Sequence, residues 1–129
     1  QILMSRGYEF GNHKGLNLIG GKVIKFSQNT GEKIPQIGWN SIYPTNGKSW
    51  RGTILDGIKP GSNVYFIHSY FIVPEGKNTI LAKTRYGKTE FCSVIISDNI
   101  SGCQFHPEKS GAVGLKIIDN FIKIVGKNT

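Results

Sequence analysis

In the run CQFHPEKSG, residues 103–111, a histidine and a glutamate stand two positions apart with a proline between them. An imidazole and a carboxylate are the base and the orienting acid of nucleophile-base-orienter triads, in which the carboxylate fixes the imidazole's tautomer and favours its cation. Pro107 holds its own φ near about −65° and disfavours helical backbone at His106, so both neighbours are expected in extended chain. Side chains two apart in extended chain share a side, which groups Gln104, His106 and Glu108 on one face and turns Cys103 and Phe105 away. Two other readings of the motif stay open at this point. His106 could be satisfied at a strand end with Glu108 near a helix N-terminus, or one carboxylate with His68 and His106 could hold zinc, although their spacing does not select for it.

The elements that must position this motif are short, since 17 glycines and 5 prolines interrupt a chain of 129 residues. Residues 15–26 read as a turn into a strand carrying Val23, Ile24 and Phe26, and residues 35–42 as a strand opened by Pro35. VYFIHSYFIV, residues 64–73, is a continuous β-prone run with the composition of one buried strand. Three further strands, in TILAKTRY, TEFCSVII and ISGCQF, are separated by Gly87-Lys88 and Asp98-Asn99. A helix is expected over residues 110–125, with Leu115, Ile118, Phe121, Ile122 and Val125 forming its apolar stripe. Strands in the middle and helices at both ends predict an α/β fold, a mixed β-sheet flanked by helices. The motif then falls where strand gives way to helix, a usual place for active-site groups in open α/β sheets.

Composition narrows the function classes. The net charge of +8 raises nucleic acid as a partner, but the lysines are spread singly, without aromatic interleaving, and predict a solvated surface instead. No apolar run reaches the length of about 18 residues that crosses a bilayer, and the start lacks the pattern of a signal peptide, so a cytoplasmic protein with no membrane partner is expected. Cys92 and Cys103 fit no CxxC pattern and are expected as buried thiols. The first residues, QILM, enter an apolar stretch with no N-cap before it, as in a chain cut within a domain.

QFHPEKSGAVGLKIIDNF resembles the C-terminal signature of class I, triad-type glutamine amidotransferases. Within that superfamily PQIGWN, YFIHSY and GLNLIGGKVIKF are similar to the glutaminase subunits of imidazole glycerol phosphate synthases, and the similarity runs along nearly the whole chain. The resemblance implies that residues 1–129 are the C-terminal part of a single, incomplete glutamine amidotransferase domain. It implies that His106 is the general base and acid and Glu108 its orienting carboxylate, with the nucleophilic cysteine four residues before Gln1. Gln1 and Glu9, with the backbone around Ser69 and Tyr70, would bind the substrate glutamine. Trp39, Asn40, Tyr65 and Lys109 would lie at or near the interface with an ammonia-consuming synthase of the cyclase-type (βα)8-barrel class.

On this resemblance the complete protein hydrolyses glutamine without a cofactor and delivers ammonia within a heterodimer for histidine biosynthesis, while the chain alone is inactive. The family usually carries His-Met before its Gly-Trp pair, where this chain has Gln36-Ile37. That departure keeps open an ammonia-supplying component of a sugar amidotransferase in surface-polysaccharide synthesis; a non-catalytic remnant of the fold, lacking a cysteine at the elbow, is the other alternative.

Overall fold

The computed structural model describes residues 1–127, and three small sheets and one α-helix organise them. The first sheet contains β1 (Arg6–Gly7), β2 (His13–Lys14), β3 (Gly21–Lys25) and β7 (Tyr70–Pro74) in the order β2-β1-β3-β7. It is mixed, because β1 runs parallel to β3 while β3 and β7 are antiparallel. β4 (Gln36–Ser41) and β6 (Asn63–His68) form an antiparallel ribbon. β5 (Tyr43–Pro44), β8 (Ile80–Tyr86), β9 (Thr89–Ser97) and β10 (Ile100–Cys103) form the third sheet, in the order β10-β9-β8-β5. α1 (Gly111–Lys127) follows a single 3-10 turn at Pro107–Lys109.

Burial explains the strand patterns. β9 is buried without a break from Phe91 to Ile95, as expected for a strand covered on both faces. β6 alternates, with Val64, Phe66 and His68 inside and Asn63 and Ile67 outside. The main core gathers Phe26, Phe66, Phe71, Phe91 and Phe105 with Ile42, Leu55, Val64, Leu81 and Val94, and α1 enters it through Ile117. Phe66 meets Phe91 and Phe105 edge-on, each at a centroid distance of 5.7 Å. A second cluster, Met4, Ile19, Val23, Ile72, Cys92 and Ile95, lies under the first sheet.

The α/β reading stands, with three corrections. Residues 1–5 form turns, so no helix opens the chain, and α1 is the one α-helix among the described residues. Residues 64–73 are two strands, broken at Ser69: β6 pairs with β4, whereas β7 pairs with β3. Aromatic and branched residues run up to the break from both sides, so composition does not mark it. The third correction concerns α1. It buries Gly114, Ile117 and Asn120, while Leu115, Phe121, Ile122 and Val125 of the expected stripe are exposed.

Candidate active site

His106 is extended, with φ −98° and ψ 98°, as the following proline requires. Glu108 is not. It lies in the 3-10 turn at Pro107–Lys109, because Lys109 N–H donates to the His106 carbonyl at 3.0 Å and Ser110 N–H to the Pro107 carbonyl at 3.0 Å. A turn of this kind brings residue i+2 back toward residue i, and the carboxylate still reaches the ring. His106 Nδ1 stands 2.8 Å from Glu108 Oε1. The two side chains are 41% and 58% exposed, so the pair opens to solvent and is not sealed in the core. With Nδ1 engaged, Nε2 is the nitrogen available to a thiol or a water.

Two backbone ties seat the motif. His106 N–H donates to the Tyr65 carbonyl at 2.9 Å, which docks the turn on β6. Ser110 is buried; its Oγ donates to the His106 carbonyl at 2.6 Å and accepts from Tyr65 N–H at 2.9 Å. Gly114 is buried against the same turn, for a β-carbon there would lie 1.8 Å from the Pro107 carbonyl oxygen. Neither Ser110 nor Gly114 stands out by sequence as a site residue. A serine just before a helix is the one visible signal, and it reads only as a helix start.

Glu108's carboxyl is held below the ordinary glutamate range by its own backbone N–H first and then by the His106 ring. It is therefore ionised throughout the neutral range, the state that orients an imidazole. Replacing it with the isosteric amide, Glu108→Gln, is expected to lower any rate that depends on this imidazole by about tenfold to hundredfold, since orientation weakens while the base remains. A steady-state rate equal to the parent's would remove Glu108 from the orienting role.

Gln1 belongs to the same neighbourhood. Its Nε2 donates to the Tyr70 carbonyl at 2.9 Å and to Gln104 Oε1 at 3.2 Å, so the chain start lies beside the segment leading into His106. Gln1 and Glu9 also line one open cavity of about 320 Å³ with Arg6, Phe10, His13 and Lys14. Ser69 is half-buried at the break between β6 and β7, where its carbonyl accepts from Phe26 N–H at 3.0 Å.

Trp39, Tyr65 and Lys109 cluster near the motif. Trp39 and Tyr65 are cross-strand partners with centroids 5.8 Å apart, and Trp39 is 58% exposed. Lys109 is exposed on the turn that His106 N–H ties to Tyr65. Asn40, next to Trp39 on β4, projects from the other face and donates from Nδ2 to the Arg85 carbonyl at 2.8 Å, so its side chain is not grouped with these three.

Neither cysteine is placed to act as nucleophile. Burial pushes both the Cys92 and the Cys103 thiols up to about 12. Zinc finds no site at His68, whose two ring nitrogens face the Tyr70 carbonyl at 2.7 Å and the Gln36 side chain at 2.8 Å.

An orienting carboxylate beside a half-exposed imidazole is the base-and-orienter pair of a nucleophile-base-orienter triad. Residues 11–125 match the family described as Glutamine amidotransferase class-I. This chain belongs to that family. Among the curated proteins, this amidotransferase chain is 45% identical over 129 residues to "Imidazole glycerol phosphate synthase subunit HisH 1" of Legionella pneumophila, covering 96% of this chain and 61% of that protein. It is 44% identical to the HisH subunit of Aquifex aeolicus, covering 100% of this chain and 59% of that protein. The HisH subunit of Methanocaldococcus jannaschii is 46% identical over 125 residues, or 97% of this chain and 60% of that protein.

The amidotransferase chain thus spans about three fifths of the length of the curated relatives it matches. A crystal structure described as a putative GMP synthase protein from Thermoplasma acidophilum superposes with a TM-score of 0.62 at 21% identity. That match covers 84% of this chain and 50% of the other, and it supports the fold.

Proposed function

We propose that the chain is the His-Glu portion of a glutaminase subunit, which in the complete protein hydrolyses glutamine and passes the ammonia to a partner synthase. The observation that carries this is the 2.8 Å contact between His106 Nδ1 and Glu108 in an exposed turn. Support for the particular partner comes from relatives named as imidazole glycerol phosphate synthase subunits. On this reading the partner is the cyclase-type (βα)8-barrel subunit of that enzyme, the pathway is histidine biosynthesis, and the heterodimer works in the cytoplasm. No helix among the described residues is long and apolar enough to cross a membrane.

The nucleophile is a cysteine thiolate from chain that precedes Gln1 in the complete protein. It attacks the side-chain amide carbon of glutamine, and the oxyanion that forms is met by backbone N–H donors. His106, protonated as the thiol is deprotonated, gives its proton to the departing nitrogen, so ammonia leaves and a thioester forms. The imidazole then takes a proton from water, which attacks the thioester; glutamate leaves and the thiol is restored. Gln1, Glu9 and the backbone at Ser69 and Tyr70 hold the substrate.

The docking surface follows the resemblance, which sets Trp39, Tyr65 and Lys109 at or near the synthase interface. Trp39 and Tyr65 are adjacent to the turn that carries His106, so a partner seated there lies beside the turn that holds the imidazole. Exposed aromatic residues at the centre of an interface commonly contribute about 2 kcal/mol or more to binding. Trp39→Ala is therefore expected to weaken partner binding roughly thirtyfold and to reduce partner-stimulated ammonia release, while its unfolding midpoint changes little. Lys109→Ala should act in the same direction with a smaller effect. Titration of the partner at fixed glutamine measures both, and unchanged stimulation in both variants would place the partner elsewhere.

The decisive experiment restores the upstream segment and assays ammonia release from glutamine with and without the synthase. Release that depends on an upstream cysteine supports the reading. A cysteine-containing complete protein inactive under both conditions overturns it and favours a non-catalytic remnant. Stimulation by a sugar amidotransferase component in place of the cyclase would keep the glutaminase and replace its pathway.

A further inference from the structure

Two groups assigned here to glutamine binding, the Tyr70 carbonyl and the Gln1 side chain, are tied to a third that the triad does not use. His68 is the last residue of β6, and its buried ring sits among Phe26, Phe66 and Phe91 at centroid distances of 5.1, 5.5 and 5.1 Å. A histidine in such surroundings is ordinarily a filler of the core. This one differs in where its two nitrogens go. Nδ1 lies 2.7 Å from the Tyr70 carbonyl oxygen, and Nε2 lies 2.8 Å from Gln36 Oε1.

A carbonyl oxygen only accepts, so the contact at Tyr70 puts a proton on Nδ1. The neutral ring then has a bare Nε2, and Gln36 must present its amide nitrogen there; a half-turn of the amide, which exchanges its oxygen and nitrogen, does so. A ring protonated on both nitrogens would be a cation in an aromatic nest. Burial, first, and the nearby His106 both push His68 toward the neutral form, against the pull of the Tyr70 carbonyl.

The Tyr70 carbonyl meets a second donor. Gln1 Nε2 reaches it at 2.9 Å while also donating to Gln104 Oε1 at 3.2 Å. One backbone oxygen thus joins a buried imidazole to the side chain that opens the glutamine pocket. It does so one residue after the chain leaves β6 for another sheet.

We propose that His68 is a positioning residue for glutamine binding: its Nδ1–H fixes the Tyr70 carbonyl, the carbonyl holds the Gln1 amide, and Gln36 fixes the tautomer. The inference rests on the assignment of Gln1 and Tyr70 to the substrate. It goes beyond that assignment by making the affinity for glutamine depend on a donor outside the pocket.

The test uses the complete protein with its partner and two substitutions. His68→Phe keeps an aromatic ring in the nest but removes the donor, whereas His68→Asn places an amide N–H close to the Nδ1 position. Loss of one hydrogen bond predicts that His68→Phe raises KM for glutamine about tenfold with kcat changed by less than about threefold. His68→Asn should bring KM back to within about threefold of the parent. An unchanged KM in His68→Phe, or an equal rise in both variants, overturns the proposal.

A second measurement needs neither substitution nor activity. Imidazole ¹⁵N spectra of the chain should show His68 as the neutral Nδ1–H tautomer at neutral pH, with its titration moved below the ordinary histidine value. An Nε2–H tautomer, or titration near an ordinary histidine value, overturns the clamp. Should the complete wild-type protein release no ammonia at all, the glutaminase reading fails, and these spectra still decide whether the clamp exists.

Discussion

His106→Ala in the complete protein should lower glutamine hydrolysis by about a thousandfold while the fold survives. The size follows from the two proton transfers assigned to one imidazole: without it the thiol is not deprotonated and the departing nitrogen is not protonated. Survival of the fold follows from how the residue is held. The ties that seat the turn run through backbone atoms, His106 N–H to Tyr65 and the His106 carbonyl to Ser110 and Lys109, and an alanine keeps them all. The ring itself is 41% exposed and its side-chain bond is to Glu108, so its removal opens no cavity in the core.

Steady-state ammonia release together with a urea unfolding curve separates the outcomes. Activity within tenfold of the parent would end the assignment of His106 as the base, and a variant that fails to fold would make the histidine a structural residue. The pH profile offers an internal check. Glu108's carboxyl titrates below its ordinary value, so the orientation it provides is complete above that value and is lost only as pH falls through the lowered one. An acid limb in the rate between about pH 5 and 7 would therefore belong to another group of the complete site.

The motif was legible because its chemistry is local. A proline between two functional residues restricts its own φ and the residue before it whatever surrounds them, and His106 is extended as that rule requires. Its limit shows at Glu108, where hydrogen bonds from Lys109 and Ser110 close a 3-10 turn that the extended-chain argument does not contain. The strands around the motif were legible for the same reason, since Gly87 and Asp98, both with positive φ, mark the hairpin turns beside β9. Non-local facts were not. Nothing in VYFIHSYFIV says that Tyr65 will pair with Trp39 while Tyr70 pairs with Lys25.

The helix shows most clearly how a pattern can point the wrong way. Leu115, Ile118, Phe121, Ile122 and Val125 have the spacing of a buried stripe, yet Leu115 is 67% and Ile122 62% exposed. The face that packs is set by close approach and polar satisfaction. Gly114 lets the backbone lie against the Pro107 carbonyl, and Asn120 Nδ2 donates to the carbonyls of Ile54 at 3.0 Å and Asp56 at 2.8 Å. Glycine and asparagine carry no weight in a hydrophobic periodicity, although here they decide which side of α1 faces inward. Only Ile117, with Val113 and Ile124 at its margins, gives that face an apolar signal.

Gly114→Ala is accordingly expected to be the most damaging small change outside the triad. In an exposed helix interior the substitution ordinarily stabilises by up to about 1 kcal/mol, because alanine has the better helix propensity. At Gly114 the added carbon would sit 1.8 Å from the Pro107 carbonyl oxygen and 2.9 Å from Ser110 Cβ, so either α1 or the turn must move. Overpacking against backbone of this kind costs about 3 kcal/mol. The turn that would have to yield holds His106 and Glu108, and a displacement of about 1 Å at a reacting group can cost about a hundredfold in rate. Gly126→Ala supplies the control within the same helix, since a β-carbon there meets nothing within 4 Å among the described residues. Urea midpoints of the two variants should move in opposite directions, and glutamine hydrolysis by the complete protein should fall only for Gly114→Ala. A Gly114→Ala protein with the parent's midpoint and rate would mean that α1 does not press on the His-Pro-Glu turn, and the positioning of the base would need another source.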